Sequence, residues 1–425
     1  MKNENAEKNK DKNLKDFLLR NIVTVTFSVL VVFGLIMTKD TPLFIMNELV
    51  QSFIKYSFLV LAILIPIMAG MGFNFSIVIG AMAGQLAVIA AVNWGFSGFL
   101  GFLATAAFAT PIALLFGFLS GLLLNKARGH EMITSIFISY VGNGLYQLTV
   151  LSLMGVVIPI TSSKLLLSSG VGLRNTIDLK DTLLHSVDGV LELSFFFILI
   201  ITGIVILTLE IYRMKKGDVR FDKKNINSRI VISASIILIS FMIMFVAILP
   251  NDLNALKTLK FPVITGVIIS ASVIFHLLIT HKKMGRDFLT VALNQKNSKD
   301  LDAKASKVRI TAIVISTLLA SWGQIIYIQN TGYFITYASH MSIGLMAASA
   351  LIVGGASFRR ATVSQALIGL ILIQGFLIVT VPVLRDLLSP ALSEQLRYII
   401  MNSVLLYAFT RTRSENKVLT VNEYN

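Results

Sequence analysis

The sequence predicts an all-α integral membrane protein, a polytopic helical bundle of about ten to twelve crossings of which some are broken or re-entrant. Three observations carry this expectation. Of 425 residues, 55% are hydrophobic and 14% charged, at a mean hydropathy of +0.79, which is too apolar for a water-soluble domain of ordinary composition. Apolar runs of about 20 residues, long enough to span a hydrocarbon core as helix, recur along the chain. The 37 Lys and Arg fall mainly in alternate connections: with a cytoplasmic N-terminus and every run crossing, 27 lie inside, 9 outside and Arg20 within the first run. That asymmetry is the positive-inside bias.

The opening residues 1–16, MKNENAEKNKDKNLKD, read as a disordered cytoplasmic tail. Apolar runs follow near 17–38, 52–70, 73–94, 97–124, 132–155, 193–212, 230–249, 260–280, 310–328, 341–356, 362–383 and 397–410. No small-residue cleavage site follows the first of them, so it reads as a span rather than a cleavable signal. Residues 17–410 form the transmembrane domain, and 411–425 a second tail, which puts both termini in the cytoplasm. Between the fifth and sixth runs, residues 156–192 are Ser-rich with nearly balanced charge and read as a small external cap on which a receptor protein could dock. Two segments echo each other: FSIVIGAMAGQLA at 75–87 and MSIGLMAASALIVGG at 341–355 each place Ser-Ile, then Gly, Met and Ala, in a short glycine-interrupted stretch. Paired interrupted segments in the two halves of a membrane protein point to a translocation path, because irregular backbone survives at membrane depth only against protein or water.

Several chemistries are excluded. There is no cysteine, hence no disulfide, thiolate metal site or cysteine nucleophile. No GxxxxGK[ST] loop occurs, so the chain is not expected to hydrolyse ATP. HExxH, GxSxG and EF-hand patterns are absent too, and the five histidines (130, 185, 276, 281 and 340) share no ligand spacing. No catalytic residue and no metal site are therefore expected, and the chain does not read as an enzyme. Its basic residues are dispersed over loops instead of gathered with aromatics, which argues against nucleic acid. The acids Glu48 and Glu210 lie at the ends of runs, so no midplane carboxylate is available for ion coupling. The spans offer neutral polarity instead. Asn74, Ser76, Gln85, Tyr140, Asn143, Gln324 and Ser342 are the candidate path-lining residues. His276, alone on an apolar helix, reads as a hydrogen-bonded core residue.

The polar insertion at 281–309, HKKMGRDFLTVALNQKNSKDLDAKASKVR, carries eight Lys/Arg against three Asp. Within it Phe288, Val291 and Ala292 fall at i, i+3 and i+4 beside Leu289 and Leu293, so about two turns of helix present an apolar stripe. By composition alone this is a solvated basic loop on the inner side. Its order is more specific: Gly285-Arg286, Val291-Ala292, Asn294, a spacer, then Lys307-Val308-Arg309 at the next helix. This resembles the cytoplasmic coupling loop of ABC importer permeases, in the branch that carries simple sugars, nucleosides and branched-chain amino acids. Ala292 stands where that family usually has Gly, and Asp302 near its second Gly. The likeness extends to Asn74, Gly80-Ala81-Met82 and Gln85, similar to the family's early helix. His130-Glu131-Met132-Ile133-Thr134-Ser135 with Tyr140 is similar to the NEVISTxMLNY stretch of nucleoside-type members. Val353-Gly354-Gly355-Ala356-Ser357 is similar to the late LGGxS segment, with Arg359-Arg360 in place of glycines.

The resemblance implies a permease subunit that pairs with a second one, as homodimer or heterodimer, in a bacterial cytoplasmic (inner) membrane. It implies ABC ATPase subunits that bind the ATP and Mg, an extracytoplasmic substrate-binding lipoprotein, and a nucleoside or simple sugar as cargo. Gly285, Arg286, Phe288, Val291, Ala292, Leu293 and Asn294 would meet the ATPase, and this chain itself would need no cofactor. The competing reading is a non-ABC secondary transporter or channel for a small neutral solute, in which the basic loop only sets topology.

Overall fold

The computed structural model describes residues 21–387 apart from 217–222, 247–249, 294–301 and 358–359, with scattered positions beyond 387. The expected tails, Asn294, Arg359 and most of the run at 397–410 lie outside the described residues. The helices are α1 (Ile22–Met37), α2 (Pro42–Ala62), α3 (Leu64–Met68), α4 (Ile77–Asn93), α5 (Gly98–Lys126) and α6 (Glu131–Leu148, ending in a π-helical turn). After the segment at 154–194 come α7 (Phe195–Lys216), α8 (Lys223–Phe245), α9 (Asn251–Ala255), α10 (Val263–His281) and α11 (Lys283–Leu293). The last three are α12 (Asp302–Thr331), α13 (Met341–Val353) and α14 (Val363–Leu387). Four three-residue strands, β1 (Thr176–Asp178), β2 (Glu192–Ser194), β3 (Lys260–Pro262) and β4 (Tyr333–Ile335), form two antiparallel pairs, β1 with β4 and β2 with β3.

This is an all-helical membrane protein. Among the described residues seven helical stretches are long and apolar enough to cross a membrane, and four shorter apolar helices, Ile22–Met37, Ile77–Asn93, Ile230–Phe245 and Met341–Val353, accompany them. Two of the short ones, α4 and α13, cover the stretches expected to be glycine-interrupted, but each is a continuous helix with its turns outside it. Gly70 and Gly72, at φ of 75° and 69°, hold the chain in the left-handed region ahead of α4, and Gly355 at φ 82° ends α13. The outer faces are apolar, with Leu100, Leu115, Leu119 and Leu123 of α5 half exposed or more, as surfaces in contact with acyl chains must be.

The long helix α12 is the axis of the bundle, packed by α2, α4 and α5, while α13 and α14 pack on each other and on α2. The α7–α8 hairpin packs chiefly on itself at the periphery. Close packing on α12 depends on two glycines one turn apart: a Cβ on Gly80 would sit 2.4 Å from the Thr317 carbonyl oxygen, and one on Gly84 2.3 Å from that of Ser321. Helix α2 kinks into α3 at Ile63 because Pro66 has no N–H for the Ala62 carbonyl. Ser316 of α12 donates to that carbonyl at 2.8 Å, and the neighbouring Leu61 carbonyl lies 2.8 Å from His276 Nε2. His276, fully buried and also 2.7 Å from the Ser272 carbonyl, is the hydrogen-bonded core residue expected.

The two ends of the bundle differ. At one end, residues 154–194 fold into a small cap whose buried apolar residues (Leu165, Leu173, Ile177, Leu179, Leu183 and Val187) run on into the main core, and the two strand pairs tie it down. At the other end the basic segments converge: Arg128 and Asn125 both donate to Ser306 at 3.0 Å, Lys304 pairs with Asp287 at 2.9 Å, and Arg309 pairs with Glu131 at 2.5 Å. The last pair joins two motifs that the sequence keeps 178 residues apart.

Candidate functional site

Each of the breaks ahead of α4 and α13 exposes backbone groups that a continuous helix would have paired, and each is satisfied by polar side chains of a neighbouring helix. The first break runs from Gly70 to Ser76. There Ser135 and Ser139, one turn apart on α6, clamp a single residue: Ser135 Oγ accepts from the Phe75 N–H at 2.9 Å, and Ser139 Oγ donates to the Phe75 carbonyl at 2.7 Å. Asn74 Oδ1 accepts from the Ser76 N–H at 3.0 Å and so turns the chain into α4. The Asn74 Nδ2 and Ser76 Oγ atoms remain buried without a protein partner.

The second break lies between α12 and α13. Gly332, at φ 79°, leads into β4, and the chain turns through 336–340 before α13 begins. Gln85 Nε2 donates to the Thr336 carbonyl at 2.8 Å, and the Tyr146 hydroxyl donates to the same oxygen at 3.0 Å. His340, fully buried, sits between two amides, with Nδ1 3.0 Å from Gln85 Oε1 and Nε2 2.8 Å from Asn143 Oδ1, and its ring meets Tyr146 edge-on at 4.7 Å. Because Gln85 commits its N–H groups to the 335–336 carbonyls, its oxygen must take a proton from His340 Nδ1. A neutral ring then has an acceptor at Nε2 and suits an Asn143 amide turned to donate. A cationic ring suits one that accepts. The proton state of His340 and the orientation of Asn143 are thus coupled.

Of the residues expected to line a path, the structure brings Gln85 and Asn143 together through His340. Asn74 and Ser76 form the first break. Gln324 lies on α12 against the neighbouring face of α4, where its Cβ meets Gly84, and both its amide atoms are buried without a partner. Tyr140 is 61% exposed, and Ser342, also exposed, makes only a long contact of 3.4 Å to the Ser339 carbonyl. Sequence reading missed His340, Tyr146, Thr336 and Ser139. Only the Ser135-to-Ser139 spacing, placing both hydroxyls on one helix face, could have signalled them. His340→Ala is expected to cost about 1–3 kcal/mol, since the buried Gln85 amide loses a partner and the half-buried Asn143 amide can turn to water. Thermal unfolding checks this, with His340→Gln recovering part of the loss.

The coupling segment folds as the expected helix, α11, but its stripe is turned inward. Phe288 is 1% exposed and joins the main core beside α3, while Val291 and Ala292 are half-buried. Apolar surface in the chain's own bundle covers the stripe that was expected to fill a partner's groove. What α11 leaves outside is Lys283, Met284, Arg286, Leu289 (57% exposed) and Thr290. Gly285 permits the reversal from α10, since a Cβ there would lie 2.0 Å from the Ile279 carbonyl oxygen. The bond from Lys304 holds the Asp287 carboxyl below the usual carboxylate range and pins α11 to the start of α12. Leu293 is the last residue of the helix, and Asn294 lies outside the described residues.

The chain matches no protein-family model, no curated protein and no solved structure.

Proposed function

We propose that the chain is the transmembrane permease subunit of an ABC importer, forming the path for a small polar solute, a nucleoside or simple sugar, with ATP hydrolysed by partner subunits. The observation that carries this reading is the seat of α11. A short amphipathic helix with a basic, partly apolar outer face leans through Phe288 on α3, the segment that runs from the Pro66 kink into the first helix break. A push on α11 is therefore delivered to helix α4, and alternating access follows from tilting α4 and α13 about the clamps at Phe75 and Thr336. Neutral amides and hydroxyls at both breaks suit hydroxyl or base ligands and need no ion coupling. Tyr140, Asn143 and Ser342 stand on a flank that a second permease subunit would close. The basic end faces the cytoplasm and the ATPases, the cap faces outward toward a substrate-binding lipoprotein, and the membrane is the bacterial cytoplasmic one. In the alternative, a non-ABC carrier or channel, α11 is a structural strut only.

Leu289→Asp separates the two. In the importer it is expected to abolish substrate-stimulated ATP hydrolysis while membrane insertion stays normal, because Leu289 is on the outer face. Phe288→Asp, by contrast, places an unpaired charge in the chain's own core, costs several kcal/mol, and lowers insertion itself. Uptake that persists with ATP depleted and an ion gradient intact would overturn the importer reading.

A further inference from the structure

At the cap end a cavity of about 500 Å³ opens between the first turns of α2, the cap segment at 185–192, β3 and the end of α12. Asp188 forms part of its lining and is only 4% exposed. One carboxylate oxygen accepts from the Thr265 hydroxyl, and the other from Asn330 Nδ2 at 2.7 Å. Asn330 Nδ2 also reaches Gln51 Oε1 at 2.9 Å, whereas Asn330 Oδ1, on a side chain 7% exposed, has no partner. In the bonds formed, the carboxylate and Gln51 Oε1 share the Asn330 amide nitrogen, the Thr265 hydroxyl adds one donor, and Asn330 Oδ1 receives none.

Among the described residues no ion pair reaches Asp188, and Lys260 at the rim is already paired with Glu192 at 3.3 Å. Lys55, one turn beyond Gln51, lies near enough for Asp188 and Glu48 to act on its charge, yet it makes no ion pair. A buried carboxylate met only by neutral donors costs several kcal/mol unless a cation joins it. On a chain of net charge +15 such an acidic recess is not explained by composition.

We propose that this cavity binds a primary ammonium group, with Asp188 as counter-ion and Gln51 Oε1 and Asn330 Oδ1 as flanking acceptors. An R–NH₃⁺ group has three donors and no acceptor, which complements this set; a quaternary ammonium has no N–H, and a polyol has no charge. Phe44, 47% exposed, also lines the cavity. The ammonium can come from a free amine or from an ethanolamine lipid headgroup at the membrane boundary. This site is separate from the importer reading, since it concerns binding by the chain alone.

The test is thermal unfolding of the purified full chain with ethylammonium, tetramethylammonium or glycerol at constant ionic strength. Saturable stabilisation by ethylammonium, with little from the other two, is expected. Asp188→Asn should weaken that response by about tenfold or more. Equal effects of ethylammonium and tetramethylammonium, or none from either, overturn the proposal, and this comparison in the unmodified chain holds even where Asp188→Asn does not fold. A response that appears only in Lys55→Met also overturns it, because Lys55 is then the counter-ion. Nanodiscs identify the source: a headgroup suppresses the ethylammonium response in phosphatidylethanolamine but not phosphatidylcholine discs, whereas a free-amine site responds in both.

Discussion

Arg309→Ala is expected to destabilise the protein by about 3–5 kcal/mol, the cost of leaving one partner of a buried ion pair without the other. Arg309 is 4% exposed and the Glu131 side chain 14%; the pair is 2.5 Å apart, and Arg309 Nη2 also approaches the Leu124 carbonyl at 3.5 Å. Truncation strands the Glu131 carboxylate at the junction of α5, α6 and α12. Glu131→Ala should be comparably harmful, because it strands the guanidinium. The double replacement Glu131→Leu with Arg309→Met should recover most of the loss, since two apolar groups leave no charge unpaired. The measurement is a double-mutant cycle on unfolding in detergent. Single-variant losses below about 1 kcal/mol would mean that the pair behaves as a surface salt bridge.

Gly84→Leu is expected to prevent assembly of the bundle. An added Cβ would sit 2.3 Å from the Ser321 carbonyl oxygen and 3.1 Å from the Gln324 Cβ, and the nearer obstacle is backbone that cannot rotate away. Overpacking of side chains costs about 1–3 kcal/mol, and separating α4 from α12 costs more because their whole contact is lost. Gly84→Ala should be milder but still damaging. Gly144→Ala is the control: nothing lies within 4 Å of its added Cβ, so replacing a helical glycine there should be neutral or stabilising by up to ~1 kcal/mol. The yield of monodisperse protein after extraction distinguishes these variants. Equal yields for Gly84→Leu and Gly144→Ala would show that α4 does not pack on α12 through this face.

Much of the architecture was legible because it depends on local properties. Apolar length fixes where helices can lie, so the expected runs at 97–124, 260–280 and 310–328 match helices α5, α10 and most of α12. The stretches at 75–87 and 341–355 stood out by their glycines, but Gly80, Gly84 and Gly344 lie inside the continuous helices α4 and α13, and the left-handed turns fall outside them, at Gly70 and Gly72 before α4 and Gly355 after α13. Periodicity likewise placed about two turns of amphipathic helix around Phe288 to Leu293, which lie within α11.

Partnership was not legible. A 3.6-residue period tells which face of α11 is apolar, but not whether lipid, a partner or its own bundle covers it; Phe288 is covered by the bundle. His340 shows no local signal, because it matters only where residues 255 and 197 positions away, Gln85 and Asn143, bring their amides to its two nitrogens. Asp188 has no local signal either, because only folding sets Thr265 and Asn330 around its carboxylate. Composition and periodicity thus determined by themselves that this chain is a helical membrane protein. Only the tertiary structure decided which polar groups pair and which stay open, because pairing is set by long-range packing that no local window of sequence contains.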